Sequence, residues 1–233
     1  MHFSDLSERV AEVRGRIALA AARGGHPQEV RLVAVTKTHG PEAVEAAHGA
    51  GVRDIGENKV QEALHKQDAV GARSRVPAAE LQWHLIGHLQ TNKVKALARF
   101  ALFHALDRGR LADAADRIGR ETSPVEVLVQ VNVSGEDTKG GFAPGELAAE
   151  AERLRRMEGL CVRGVMTMAP FDADEATLRQ VFSGARDAGA MFRAAGHPAT
   201  ELSMGMSGDY EVAVEEGATM VRLGTILFGE RTP

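Results

Sequence analysis

The chain is short of several residue types, and each shortage closes off a class of function. Its single cysteine, Cys161, rules out a disulfide framework and any cysteine-built zinc or iron–sulfur centre. No apolar run approaches the roughly 18 residues of a membrane span. Positive charge is not in excess: 28 Lys plus Arg stand against 32 Asp plus Glu, a formal net charge of −4. A dedicated nucleic-acid binder would carry a basic excess or stripe. The opening stretch, 1–9, has an early acid in Asp5 and no apolar segment, so no secretory signal is expected. Lysine is scarce, limited to Lys37, Lys59, Lys66, Lys93, Lys95 and Lys139. What remains is ordinary, with 44% apolar and 26% charged residues, the composition of a folded globular chain. The expectation is one cytoplasmic domain spanning 1–233.

The apolar pattern supplies the architecture. Leu6, Val10, Val13, Ile17 and Ala20 recur at helical spacing behind Ser4 and Asp5, and Gly24-Gly25 ends the run, so 1–25 reads as a helix packing on the rest. Eight short β-branched or apolar runs follow, at 31–37, 52–55, 82–86, 102–106, 125–133, 161–168, 201–204 and 220–223. Each but the last precedes a stretch with helical character. Alternation of this kind indicates βαβ units and a parallel sheet. Eight strands in 233 residues fits a (β/α)8 TIM barrel of about 250 residues. The open dinucleotide-binding sheet loses its main support, because no Gly-x-Gly-x-x-Gly follows the first strand.

A barrel of this type does its chemistry at the C-terminal ends of its strands. The first run, Leu32–Lys37, closes on one of the few lysines. Partial burial disfavours an ammonium and supplies the free amine that Schiff-base formation needs. The plain alternative is a strand-end lysine reaching to solvent. The seventh run leads into Ser203-Met204-Gly205-Met206-Ser207-Gly208, and the eighth into Gly224-Thr225. Loops after strands seven and eight are where barrels most often hold phosphate. Glycine and serine are also ordinary turn residues. Arg222, a charge inside an apolar strand, needs a partner. Amine, phosphate cradle and arginine together suit pyridoxal 5′-phosphate, with its aldehyde on Lys37, its phosphate on the last two loops and its ring nitrogen facing Arg222.

Other polar features point elsewhere. His84 and His88, at i and i+4, would share a metal on a helix, but on a strand four residues span about 13 Å. His84 is expected at the pocket mouth or in the core. Gly135–Gly141 lacks the Gly-Lys-Ser/Thr ending of a P-loop. The stretch 71–80 reads as a gap without regular structure.

Several segments taken together carry a resemblance. They are Ala34-Val35-Thr36-Lys37-Thr38, Ile55-Gly56-Glu57-Asn58-Lys59, Trp83-His84-Leu85-Ile86-Gly87-His88-Leu89-Gln90, His104-Ala105-Leu106-Asp107, Val131-Asn132-Val133-Ser134 and Leu202–Ser207. Val221-Arg222-Leu223-Gly224-Thr225 with Phe228-Gly229 completes the set. In this order the sequence resembles the pyridoxal phosphate homeostasis protein family over nearly its whole length. The resemblance implies a fold-type III barrel like the N-terminal domain of alanine racemase, without that enzyme's second domain. It implies Lys37 as the Schiff-base lysine and Ser203, Ser207, Gly224 and Thr225 as phosphate-loop residues. Arg222 would face the pyridine nitrogen, and Asn58 would lie near the ring. One departure is His39, which stands where many members have a second lysine, while Lys139 matches another family lysine.

The same resemblance implies a carrier or regulator of the cofactor with no established turnover. Its partners would be the cofactor and apo forms of enzymes that use it, with neither nucleic acid nor membrane, and the chain would be a monomer. Racemisation needs two acid/base groups flanking the substrate carbon, and the one tyrosine, Tyr210, reads as a packing residue. The alternatives are a fold-type III racemase with weak activity, a Schiff-base sugar-phosphate lyase or aldolase, and a phosphate-binding module without covalent chemistry.

Overall fold

The computed structural model describes residues 3–73, 76–136 and 140–229; Lys139 lies outside the described residues. Among these, eight parallel strands close a barrel in chain order. They are β1 (Arg31–Val35), β2 (Asp54–Glu57), β3 (Gln82–Leu85), β4 (Leu102–Leu106), β5 (Val125–Gln130), β6 (Leu160–Met166), β7 (Glu201–Ser203) and β8 (Met220–Leu223). Closure comes from β8 pairing with β1, where Ala34 stands opposite Leu223. The intervening helices are α2 (Pro41–Gly49), α3 (Val60–Arg73), α4 (Gly109–Glu121), α5 (Leu147–Leu154), α6 (Glu175–Ala194) and α7 (Tyr210–Glu215). After β3 the chain winds into a 3-10 run, Thr91–Arg99, instead of an α-helix. After β8 it makes only one turn, α8 (Thr225–Phe228).

The N-terminal α1 (Leu6–Gly24) buries Leu6, Val10, Val13, Ile17 and Ala20, the residues its spacing predicts. Gly25, at φ 68°, returns its N–H to the Ala21 carbonyl, the left-handed C-cap that glycine adopts without a Cβ penalty. The helix lies against α2, α7 and the short α8, and Arg9 Nη1 donates to the Leu227 carbonyl at 3.1 Å.

Strand ends differ from the expected ones, for local reasons. β1 stops at Val35, although Thr36 still donates its N–H to the Gly56 carbonyl at 3.1 Å. Thr38 then enters the left-handed region at φ 68°, which turns the chain and leaves Lys37 beyond the ladder. β2 begins later, because Gly51 at φ 78° and a bond from Val52 N–H to the Ala47 carbonyl keep Val52 in a turn. It then runs on through Gly56 and Glu57, whose composition does not suggest a strand. Gly56 is needed there: a Cβ would sit 3.0 Å from Val33 Cγ1 and 3.4 Å from Ile86 Cδ1. β5 and β6 end before the expected 133 and 168. The stretch 71–80 is partly regular, with α3 reaching Arg73 and a 3-10 turn at Ala78–Glu80.

TIM-barrel interiors are ordinarily filled by bulky aliphatic layers. Here a polar group crosses the middle. His104 on β4 bonds Ser203 on β7 at 2.9 Å; these strands are not neighbours in the barrel, so the contact runs through the interior.

Removing packing from α1 tests its share in the fold. Ile17→Ala is expected to lower unfolding free energy by about 2–5 kcal/mol, read as a lower urea midpoint at unchanged m-value.

Candidate active site

The C-terminal ends of the strands bring the sequence-predicted residues to one end of the barrel. Lys37 follows β1, Asn58 follows β2, Ser207 lies in the loop after β7, and Gly224 with Thr225 follows β8. Lys37 is half-buried, and its amine makes no hydrogen bond or ion pair among the described residues. Because β1 and β8 are hydrogen-bonded neighbours, the Lys37 turn stands beside the Gly224 loop; a Cβ at Gly224 would lie 3.4 Å from the Val35 carbonyl. Asn58 is half-buried, with its carbonyl pressed so closely on Gly87 that a Cβ there would collide with it.

The last two loops are stitched together. Ser207 Oγ accepts from the Ile226 N–H at 3.3 Å, while Gly205, at φ 95°, accepts from the Arg222 N–H at 2.9 Å. Of the α8 amides, Ile226 is taken by Ser207 Oγ and Leu227 and Phe228 by the Gly224 carbonyl, which leaves the Thr225 N–H beside the Ser207 and Thr225 hydroxyls. That is a set of groups suited to an anion.

Ser203 departs from the phosphate-loop role. It is wholly buried, and its Oγ accepts from Arg222 Nη1 at 2.7 Å and meets His104 Nδ1 at 2.9 Å. Its position as the last residue of β7 turns the hydroxyl into the barrel, away from the loop. Arg222 is 5% exposed; its Nη2 donates to the Thr167 carbonyl at 3.0 Å. Burial brings its pKa down to about 10, so it remains a guanidinium at neutral pH. Burial, with the neighbouring His84, Arg222 and Arg31, holds His104 well below the ordinary histidine range and therefore neutral. His84 is also interior, 1% exposed, bonding His104 through Nδ1 and Asp54 through Nε2, each at 2.9 Å. His88 lies past the strand and pairs with Asp107, so the two histidines serve separate partners.

A second buried cluster supports Lys37 from behind. Lys66 on α3, 2% exposed, donates from Nζ to the Thr36 carbonyl and Glu57 Oε1, both at 2.6 Å, and to Glu62 Oε1 at 3.0 Å. Thr36 Oγ1 also donates to Glu57, and the Thr38 N–H to Glu62. The residues on both sides of Lys37 are thereby tied to α3. Burial pushes the Glu57 carboxyl up, opposed by Lys66 and Thr36. Burial also works against ionised Glu62, but bonds from Lys66 and Thr38 hold it below the usual range. The sequence reading missed this cluster and His104. The signals were present: Lys66 interrupts the buried stripe of Ala63 and Val70, and His104 interrupts an apolar strand.

Comparison with known proteins places the chain. A family described as alanine racemase, N-terminal domain, matches residues 10–232. The pyridoxal phosphate homeostasis protein of Aquifex aeolicus is 40% identical over 228 residues, 96% of this chain and 97% of that protein. Its counterpart in Pseudomonas aeruginosa is 41% identical over 231 residues, 98% and 96% respectively. This chain belongs to the pyridoxal phosphate homeostasis protein family. PipY of Synechococcus elongatus, described as a COG0325 family member, has been solved with PLP bound; it superposes with a TM-score of 0.83 at 36% identity, covering 96% of this chain and all of that one. Alanine racemase of Corynebacterium glutamicum superposes at 0.72 with 18% identity, a likeness of fold alone. It covers 98% of this chain but 61% of the racemase.

His39 is part of an aromatic cluster beside the Lys37 turn. Its ring centroid is 5.9 Å from Phe3 and 5.3 Å from Phe228. Tyr210 is 3% exposed at the start of α7, packed under Gly205.

Lys66→Met isolates Glu57 in its buried site, and breaking a buried pair in this way costs about 3–5 kcal/mol. Without the cation Glu57 holds its proton to higher pH in the fold than in the unfolded chain, so stability is lost as pH rises through the folded value. Urea unfolding should therefore show a larger deficit at pH 8 than at pH 5; an equal deficit would refute the role given to Glu57.

Proposed function

We propose that this chain binds pyridoxal 5′-phosphate as a Schiff base on Lys37 and serves in homeostasis of that cofactor, holding and supplying it rather than turning over a substrate. The observation that carries the reading is the uncommitted, half-buried amine of Lys37 beside the stitched loops of Ser207 and Thr225. The donor set suits the group: an amine for an aldehyde, and the Ser207 and Thr225 hydroxyls with the Thr225 N–H for a phosphate. Asn58 lies toward the ring, and buried Arg222 faces the ring nitrogen. The cofactor would supply an electron-withdrawing ring; a guanidinium against its nitrogen keeps that nitrogen unprotonated and blunts this property. Phosphate contact falls to Ser207, Gly224, Thr225 and nearby amides, since the Ser203 hydroxyl is engaged in the interior.

A carrier is favoured over a racemase because the second acid/base group is missing from its place. Tyr210 is buried beneath Gly205, and the charges that act on it are Arg16 and Glu12 of α1 and Glu211 of α7. The sugar-phosphate lyase or aldolase reading needs an acid/base pair beside the lysine. The carboxylates tied to the residues flanking Lys37, Glu57 and Glu62, are instead bound to Lys66, Thr36 and Thr38. The partners in this reading are the free cofactor and apo-enzymes that need it, in the cytoplasm, and the working form is a monomer. No helix among the described residues is long and apolar enough to cross a membrane.

Adding the cofactor to the purified protein should produce a visible absorption band that borohydride bleaches and Lys37→Ala abolishes. Thr225→Val should raise Kd about tenfold or more, the worth of a hydrogen bond to a charged group of roughly 1.5 kcal/mol. Mixing the loaded protein with an apo-enzyme tests carriage: activity should recover at least as fast as with free cofactor. A colourless protein, or brisk racemisation of D- or L-amino acids, would overturn the reading.

A further inference from the structure

Arg222 is a buried cation with no carboxylate hydrogen-bonded to it among the described residues, although the charge of Asp209, just before α7, acts on it. Its guanidinium nitrogens donate to Ser203 Oγ and to the Thr167 carbonyl, and no ion pair reaches it among the described residues. A buried charge without an ion-paired partner is costly, and Asp209 offsets only part of the cost of burial, which still draws the guanidinium down, so the groups behind it matter. Ser203 leads to His104, His104 to His84, and His84 to Asp54, each step at 2.9 Å. Asp54 is the first residue of β2, at the opposite mouth of the barrel. It lines a cavity of about 450 Å³ there, with Arg14, Gln28, Arg31 and Arg53 among its walls.

The chemistry of the links fixes their direction. Ser203 Oγ accepts from Arg222, and its own proton goes to His104 Nδ1. Neutral His104 then has its one N–H at Nε2, which donates to His84 Nδ1. His84 in turn carries its proton on Nε2 and donates to the Asp54 carboxylate. Every dipole presents its negative end toward Arg222, and bonds aligned in this way strengthen one another. The reverse order would require a charged His84 or a protonated Asp54. The other charges near His104 are accounted for, since Arg31 pairs with Glu201, itself held by Thr219.

We propose that Asp54 is a second, remote counter-ion of Arg222 besides Asp209, acting through Ser203, His104 and His84, and that these four positioning residues tune how strongly Arg222 donates to the ring nitrogen of the bound cofactor. The state of the ring at one mouth of the barrel then answers to a carboxylate at the other. The inference rests on the reading that the ring lies against Arg222, and the test separates the two.

The first measurement uses the unmodified protein without cofactor. Long-range proton–nitrogen spectra of the imidazoles should show His84 and His104 as neutral Nε2–H tautomers; a proton on Nδ1 of His104 overturns the relay. The second uses protein loaded with pyridoxal phosphate carrying nitrogen-15 in the ring. Arg222→Lys should move the ring resonance, and Asp54→Asn, which removes the charge but keeps an acceptor, should move it toward the protonated-pyridine range. His84→Phe, which cuts the chain while filling its volume, should do the same. If Arg222→Lys moves the signal and the other two leave it within the line width, the relay is wrong and the ring placement stands. If Arg222→Lys leaves it unmoved, the placement fails and the proposal with it. Should His84→Phe not fold, Asp54→Asn and the tautomers of the unmodified protein decide the matter.

Discussion

Pairing between the first and last strands is the constraint on which the site depends. A parallel barrel closes only if β8 finds β1, and the backbone ladder from Arg31 to Ala34 against Met220 to Leu223 enforces it. Residues almost two hundred positions apart are thereby placed side by side, and the Lys37 turn meets the Gly224 loop as a matter of register. Parallel strands of this kind gain no stability until their long connections close. The site and the closed barrel therefore form together, and neither exists in a partly wound chain.

Two polar systems flank Lys37, and they differ in kind. Outside the barrel wall, Lys66, Glu57, Glu62 and the backbone around Thr36 make a compact knot of opposite charges. Inside it, Arg222, Ser203, His104 and His84 form a string whose one formal anion lies at its far end. The knot fixes where the lysine's backbone is. The string runs through the barrel interior from Arg222 to Asp54. Neither belongs to an ordinary apolar barrel core; the string is hydrogen-bonded along its length, whereas the knot leaves one oxygen, Glu57 Oε2, buried without a hydrogen-bond partner among the described residues.

Much of this was legible in the sequence because periodicity reports burial. All eight strands are present near the expected places, and α1 buries the five residues its spacing marks. Lys37 and Arg222 stood out as charges closing or interrupting apolar runs. Strand ends were less readable, since they depend on single dihedral angles such as that of Thr38 and on close approaches such as that of Gly56 to Val33. The role of Ser203 was not readable, because serine in a glycine-rich stretch looks the same whether its hydroxyl faces a loop or the interior. Lys66 and His104 were hidden differently. Their partners come from other elements, and pattern along the chain does not report contacts across it.

Lys37 sits past the end of its strand, on the turn that Thr38 creates. The woven wall of the molecule ends at Val35, so the amine hangs from a turn pinned to α3 rather than from the fabric. Whatever becomes bonded to it can be taken up and surrendered while every rung of the ladder stays made. A vessel built this way opens without being undone.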